Sequence, residues 1–213
     1  MCNTPEDLDL RGIDTVAVDI ETYDPNLKTK GLGAIRNDGF ICGIAVATGK
    51  DTAYFPLRHS DTDIDPERID KIWEVLNKKI FQNENITKIF HNAMYDVCWI
   101  RAITGGTVKD PMTNMHKLPA SIVKDYAKQD VDLTYKLWNL FNKKIDEVLY
   151  TKEDGEQKTC RKIFELETKL FLCLVDMKFK GVKIDTAQAI LFGRHLKKRR
   201  DQIIKAIQSK TGI

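Results

Sequence analysis

Four acidic residues and one tyrosine stand at spacings that could cut a phosphodiester bond. Asp19 and Glu21 lie two apart in Val16-Ala17-Val18-Asp19-Ile20-Glu21, and Asp96 closes His91-Asn92-Ala93-Met94-Tyr95-Asp96. Tyr126 lies four before Asp130 in Tyr126-Ala127-Lys128-Gln129-Asp130. Residues two apart on a strand point the same way, so Asp19 and Glu21 can share a hard cation. Residues four apart on a helix sit one above the other, which stacks Tyr126 on Asp130. Magnesium is usually held by a few carboxylates together with substrate phosphate and water. Two such ions, ~3.5–4 Å apart, can clamp the attacking and leaving oxygens of an in-line displacement. Carboxylates gathered without cations repel one another, which is a reason to take metal up. A tyrosine hydroxyl can orient the attacking water.

Each residue alone has a plainer reading. Asp19 alone is as readily a solvated acid at a strand end, Asp130 beside Asp132 a surface charge, and Tyr126 a core aromatic with its hydroxyl at the edge. His91 reads as a histidine at a strand end and is not assigned to the metals. The combination, not any member, points to metal-dependent hydrolysis.

The elements that must position these residues can be read from pattern. Residues 15–21 follow the turn-prone Arg11-Gly12 and read as a strand. Phe40–Val46 and Thr52–Phe55 read as two more, making a three-stranded antiparallel start to a sheet. The connection holding Tyr23-Asp24-Pro25 and Gly31-Leu32-Gly33 should border the site; its lone G-x-G is weak evidence for phosphate binding, and a flexible loop is expected. Asp65-Pro66-Glu67 opens a helix with Ile69, Ile72, Trp73, Leu76 and Ile80 on one stripe. A short strand at 88–90 precedes a helix from 92 to 103, which Asn92 can cap. A long helix from about Ser121 to Phe141 carries Ile122, Val123, Tyr126, Ala127, Leu133, Leu137, Trp138 and Phe141 near helical spacing. Strands followed by alternating helix and strand indicate an α/β fold with a mixed sheet. Residues 150–160 are polar and read as a linker or helix break. Beyond them Ile163, Leu166, Leu170, Leu174 and Met177 mark an amphipathic helix, stopped by Lys180-Gly181. A second helix starts near Thr186.

The segments DIET, NAMYD (N-x-x-x-D) and YAKQD (Y-x-x-x-D), in this order, resemble the three motifs of DEDDy-class 3′→5′ exonucleases. The resemblance implies a ribonuclease-H-like mixed sheet flanked by helices. It implies two Mg²⁺ or Mn²⁺ ions, with Asp19 bridging both, Glu21 and Asp130 helping to hold one, and Asp96 holding the other. Tyr126 would position the nucleophilic water, and Asn92 would support the site or touch substrate. ELETKLFLCLVDMKFKGVKID (165–185) is similar to the junction where the thumb of a family A DNA polymerase begins. The resemblance therefore covers nearly the whole chain. It implies a 3′→5′ exonuclease domain over 1–150, matching best from about 14 to 145. It also implies the start of a helical polymerase thumb over 161–213, cut off at Ile213 before any palm or fingers. The expected activity is proofreading in DNA replication, with a single-stranded 3′ end or primer terminus as substrate. A polymerase module is the expected partner in the full-length protein. Tyr23 and Tyr95 are candidates to stack on terminal bases, with ordinary packing as the alternative.

One feature departs from that pattern. Asp96 and Tyr126 are only thirty residues apart, whereas the family places further helices in this interval. The domain is expected to be shortened between 104 and 110. Two other readings follow: an RNA-trimming exonuclease similar to ribonuclease D, against which the thumb-like segment speaks, and a non-catalytic nucleic-acid-binding remnant.

Bulk properties bound the rest. A chain of 213 residues, 42% hydrophobic and 31% charged, reads as globular, with no run of membrane-span length. The acidic start lacks the layout of a secretory signal. Five cysteines (Cys2, Cys42, Cys98, Cys160 and Cys173) show no metal-ligand spacing, which fits a reducing cytoplasm. Residues 161–213 carry 13 Lys and Arg against 5 Asp and Glu, whereas 1–160 carry 21 against 26. Basic charge gathered at Lys197, Lys198, Arg199 and Arg200 suits phosphate contact or, equally, a solvated helix face.

Overall fold

The structure is a computed structural model describing residues 4–62, 65–105 and 119–211. Its centre is a four-stranded sheet in the order β3-β2-β1-β4. β1 (Thr15–Tyr23) and β2 (Phe40–Ala47) pair antiparallel, with Asp19 opposite Ala45 and Glu21 opposite Gly43. β3 (Thr52–Pro56) pairs antiparallel with β2, and the short β4 (Thr87–Ile89) pairs parallel with Thr15–Ala17. The three antiparallel strands fall where the alternation and the β-branched residues place them. Every residue of β2 is buried, the mark of a central strand covered on both faces.

The connection from β1 to β2 is organised, against the expectation of a flexible loop. It forms two short helical turns, α1 (Leu27–Lys30) and α2 (Gly33–Arg36). The Asp24 carboxylate accepts the Gly33 N–H at 2.8 Å, and Asp38 accepts from Asn26 at 2.9 Å and Arg36 at 2.6 Å. Gly39 re-enters the sheet at φ 126, where an added Cβ would meet the Tyr23 carbonyl oxygen at 2.0 Å. Only glycine fits that approach.

α3 (Pro66–Leu76) starts as its Asp-Pro-Glu signature predicts, the Asp65 side chain accepting the Glu67 N–H at 3.0 Å. The chain continues through one π turn (Asn77–Phe81), and the whole stripe Ile69, Ile72, Trp73, Leu76 and Ile80 is buried. α4 (Ala93–Gly105) follows β4. The shortening expected between 104 and 110 falls largely on residues 106–118, outside the described residues.

α5 (Ala120–Lys144) crosses one face of the sheet. The Asp61 carboxylate accepts the Ala120 N–H at 2.8 Å and thereby caps α5 from far along the chain. Val123, Ala127 and Val131 pack on Ala17, Ala45, Ala47, Tyr54 and Ile89, with Tyr135 and Trp138 at the margin. Alanines on both sides allow close approach of helix and sheet. The stripe read from the sequence is corrected here: Ile122, Leu133, Leu137 and Phe141 are exposed, because the sheet meets the face one residue further round.

Residues 150–160 are not a bare linker. β5 (Tyr150–Thr151) and β6 (Gln157–Lys158) form a small hairpin turned at Gly155. Arg161 then donates to both Asp146 oxygens, at 2.8 and 2.6 Å, and to the Asn142 carbonyl at 3.0 Å. This ties the start of α6 (Arg161–Lys180) to the end of α5. Ile163, Leu166, Leu170, Leu174 and Met177 are exposed, and Val175 is the buried residue of α6. Gly181 at φ 66 ends α6, donating to the Met177 carbonyl at 2.9 Å, as a left-handed C-cap does. The Asp185 side chain accepts the Gln188 N–H at 3.0 Å to open α7 (Thr186–Thr211). By packing, the chain divides into two units, 1–176 and 177–213.

Candidate active site

The short β4 creates the site. It pairs with β1 only as far as Ala17, so beyond that point the edge of β1 needs another partner. Asp96, in the first turn of α4, supplies it: its Oδ1 accepts the Ile20 N–H at 3.2 Å. Ile20 lies between Asp19 and Glu21, so this one hydrogen bond brings the third carboxylate to the first two. Asp96 is 3% exposed and Glu21 7%, well below what unpaired acids normally tolerate. Asn92 leads into α4 at φ 61, and its carbonyl accepts the Tyr95 N–H at 3.0 Å. This is a left-handed entry rather than the extended one of a typical cap.

Asp19 and Glu21 project from the strand face that also carries Ala17, which faces α5. Asp130, half-buried on α5, acts on both by its charge. Burial first, then the Asp130 charge, lifts the Asp19 carboxyl to about 6, while nearby His91 works in the opposite direction. Burial and the charges of Asp19 and Asp130 push Glu21 up to about 7. Burial and Asp19 raise Asp96 to about 7 despite the Ile20 N–H. The Tyr126 hydroxyl is raised to about 12, mainly by the Asp130 carboxylate one turn further along α5. It remains 52% exposed, facing solvent rather than the core. Four acids and a tyrosine from β1, α4 and α5 thus form one electrostatic group, and perturbed acids in such a group mark functional sites.

This group is not a closed ligand cage. Among the described residues, no three His, Cys, Asp or Glu side chains are arranged to hold a metal ion as they stand. The donor chemistry nevertheless fits a hard divalent cation: the group is all carboxylate, largely desolvated and mutually repelling.

The remaining candidates divide. Tyr23 is corrected: it is 1% exposed and stacked on Phe40 with ring centroids 5.1 Å apart, so it has no face open to a base. Tyr95 is half-buried, its hydroxyl hydrogen-bonded to Thr22 Oγ1. Asn92 is exposed at the entry to α4. Lys197, Lys198, Arg199 and Arg200 are exposed on α7, in the second unit. Pattern reading missed the partners that support the site. Thr22 holds Tyr95, and Asp61 caps α5. Neither has a local signal, because each acts on a residue supplied by another element.

Comparison with known proteins accords with this geometry. A family model described as 3′-5′ exonuclease, of the DNA polymerase A type, matches residues 5–116. The match takes in Asp19, Glu21 and Asp96 and stops before Tyr126. A DNA polymerase DpoZ of Acinetobacter phage SH-Ab 15497 is 32% identical over 89 residues, 41% of this chain and 13% of that protein. A DNA-directed DNA polymerase of Pseudomonas phage M6 is 24% identical over 251 positions, covering 94% of this chain and 36% of that protein. That alignment is longer than the chain itself, so the relative carries segments this chain lacks. The chain thus spans well under half the length of both relatives. In fold, Brucella melitensis NrnC with bound Mg²⁺ superposes with a TM-score of 0.54 at 16% identity, covering 86% of this chain and 95% of that one. The likeness supports a ribonuclease-H-like α/β fold with a mixed sheet flanked by helices.

Proposed function

Because the chain belongs to the 3′-5′ exonuclease family of the DNA polymerase A type, we propose that it removes nucleotides one at a time from a DNA 3′ end by a two-metal mechanism. The role is proofreading for a polymerase. The observation that carries this is the shared electrostatics of Asp19, Glu21, Asp96 and Asp130, with Tyr126 one turn before Asp130 on α5 and its hydroxyl raised by that carboxylate. Two Mg²⁺ or Mn²⁺ ions would be held by these carboxylates, Asp19 serving both, Glu21 and Asp130 one, and Asp96 the other. Such ions supply Lewis acidity and neutralise charge building on the phosphate.

The chain's own groups do the rest. Asp130 orients the Tyr126 hydroxyl, and that hydroxyl holds the attacking water in line with the scissile bond. Water oxygen bonds to phosphorus as the bond from phosphorus to the preceding nucleotide's O3′ breaks. The products are a deoxynucleoside 5′-monophosphate and a strand shorter by one, ending in a 3′ hydroxyl. A mispaired end unstacks at lower cost and so reaches the site more often, which gives selectivity without base reading. Lys197, Lys198, Arg199 and Arg200 contact strand phosphates, and residues 161–213 are the beginning of a polymerase thumb. The alignment over 94% of the chain with a phage DNA polymerase supports that reading.

The test is digestion of a 3′-labelled single-stranded DNA with Mg²⁺ beside Asp19→Ala, with a matched RNA strand in parallel. Stepwise release of 5′-mononucleotides from DNA by the parent alone is expected. No release by a folded parent, or equal release by Asp19→Ala, overturns the assignment; preference for RNA overturns the proofreading role.

A further inference from the structure

One buried polar pair on the catalytic face has no part in the chemistry above. Tyr54 on β3 and His59 just beyond it are 4% and 2% exposed, with the hydroxyl 2.6 Å from Nε2. Two polar side chains this deep carry a desolvation cost unless they are paired and useful. Register shows what they stand beside. Asp19, Ala45 and Tyr54 lie in one row across β1, β2 and β3, and Glu21, Gly43 and Pro56 lie in the next.

Tyr54 does not stay in its own row. A Cβ built on Gly43 would come within 2.0 Å of the Tyr54 hydroxyl oxygen and 2.3 Å of Cζ. The tyrosine therefore occupies the position a side chain at 43 would take, directly opposite Glu21. Cross-strand neighbours have Cβ atoms only ~4.5–5.5 Å apart. The charge of Glu21 is accordingly felt at Tyr54: burial is the main cause holding the phenol protonated, and Glu21 is the next. His59 is itself fixed. Its N–H donates to Thr62 Oγ1 at 2.7 Å, and that hydroxyl donates back to the His59 carbonyl at 2.8 Å. Leu57 and Arg58 donate to the Cys42 carbonyl at 2.8 and 2.9 Å, locking the segment between Tyr54 and His59 onto β2.

We propose that Tyr54, anchored by His59, is a positioning residue for Glu21: by filling the space over Gly43 it keeps the Glu21 carboxylate from swinging toward β2 and holds it toward Asp19 and Asp130. The inference rests on the exonuclease reading, in which Glu21 holds a cation. Glycine at 43 is then a requirement of the site, since any side chain there would evict the tyrosine.

The experiment titrates Mn²⁺ by electron paramagnetic resonance, and measures single-turnover cleavage against Mg²⁺ concentration. It compares parent, Tyr54→Phe, His59→Leu and His59→Gln, each checked for folding by its melting transition. Removing the hydroxyl, or its anchor in His59→Leu, is expected to weaken Mn²⁺ binding roughly ten-fold, the lower end of what loss of a supporting partner costs. The Mg²⁺ midpoint should rise in parallel, and the rate at saturating Mg²⁺ should change much less. His59→Gln, whose amide can still meet the hydroxyl, should bind close to the parent. Lower melting temperatures with unchanged Mn²⁺ affinity would make the pair merely structural and overturn the inference. If Tyr54→Phe does not fold, His59→Leu against His59→Gln decides alone. A parent that binds no Mn²⁺ would instead overturn the metal-dependent reading on which this one rests.

Discussion

α5 and α7 are both long helices with apolar residues at helical spacing, and they have opposite fates. On α5, Val123, Ala127 and Val131 are buried against the sheet. On α7, Ile190, Leu196, Ile203, Ile204 and Ile207 are exposed, and no residue is buried among those described. An amphipathic pattern specifies a face but not its partner. Most helix stability in a folded chain comes from packing that face. The same contrast holds for charge. Acids beside the sheet are pushed up to about 6 and 7 because burial strips their solvent. The basic run of α7 lies open to water.

The comparison is broken most severely by removing a sheet carboxylate. Asp19→Asn should reduce DNA hydrolysis to background while raising the melting temperature in metal-free buffer. It deletes a desolvated charge that repels its neighbours; a lowered melting temperature would show Asp19 to be structural. Tyr126→Phe should slow single-turnover cleavage ~10²-fold, the lower end for a positioned acid–base group, with Mn²⁺ affinity kept. An unchanged rate would overturn the water-positioning role proposed for it.

Packing and pH sharpen the contrast further. Ala127→Leu forces α5 away from Ala17 and Ala45 and should cost about 1–3 kcal/mol by overpacking, displacing Tyr126 and Asp130 and lowering activity. Ile204→Ala on α7 should stay within about 0.5 kcal/mol, measured by urea unfolding; equal costs would erase the distinction between the helices. Asp19, Glu21 and Asp96 have folded pKa values of about 6, 7 and 7, above their ordinary ones. The folded state therefore holds more protons between roughly pH 4 and 7, and its stability must fall as pH rises through that window. Metal-free melting temperatures should decline from pH 5 to 8, and Mg²⁺ should recover more of the loss at pH 8 than at pH 5. The smallest effect is on α7: Lys197→Glu with Lys198→Glu should weaken single-stranded DNA binding and reduce its salt slope by ~0.7 per lost phosphate contact, leaving the melting temperature in place.

Local chemistry made much of this molecule legible. β1, β2 and β3 lie within a residue or two of their expected bounds, and α3 starts where its Asp-Pro-Glu signature placed it, since alternation, β-branching and capping act over a few neighbours. Asp19, Glu21, Asp96, Tyr126 and Asp130 were recognisable by type and spacing, because period two on a strand and four on a helix are properties of the backbone. The failures have two causes. Tyr23, offered as a face for terminal bases, is buried as its packing alternative had it; the α5 stripe lay one position off; and the break between helices at 150–160 is a hairpin rather than a bare linker. For Tyr23 and for α5 a partner from another element decides the outcome, whereas the hairpin closes on itself across Gly155.

The amino-acid sequence by itself marked the residues proposed to carry the chemistry, most of the strands and helices, and the family to which the motifs lead. Tertiary structure alone decided that Asp96 completes the group by taking the Ile20 N–H. It also decided that Tyr54 leans over Gly43 beside Glu21, and that α5 rather than α7 carries a buried face. Periodicity and capping are written within a few residues of chain, whereas desolvation, orphaned backbone groups and convergence depend on which distant segments the fold brings into contact.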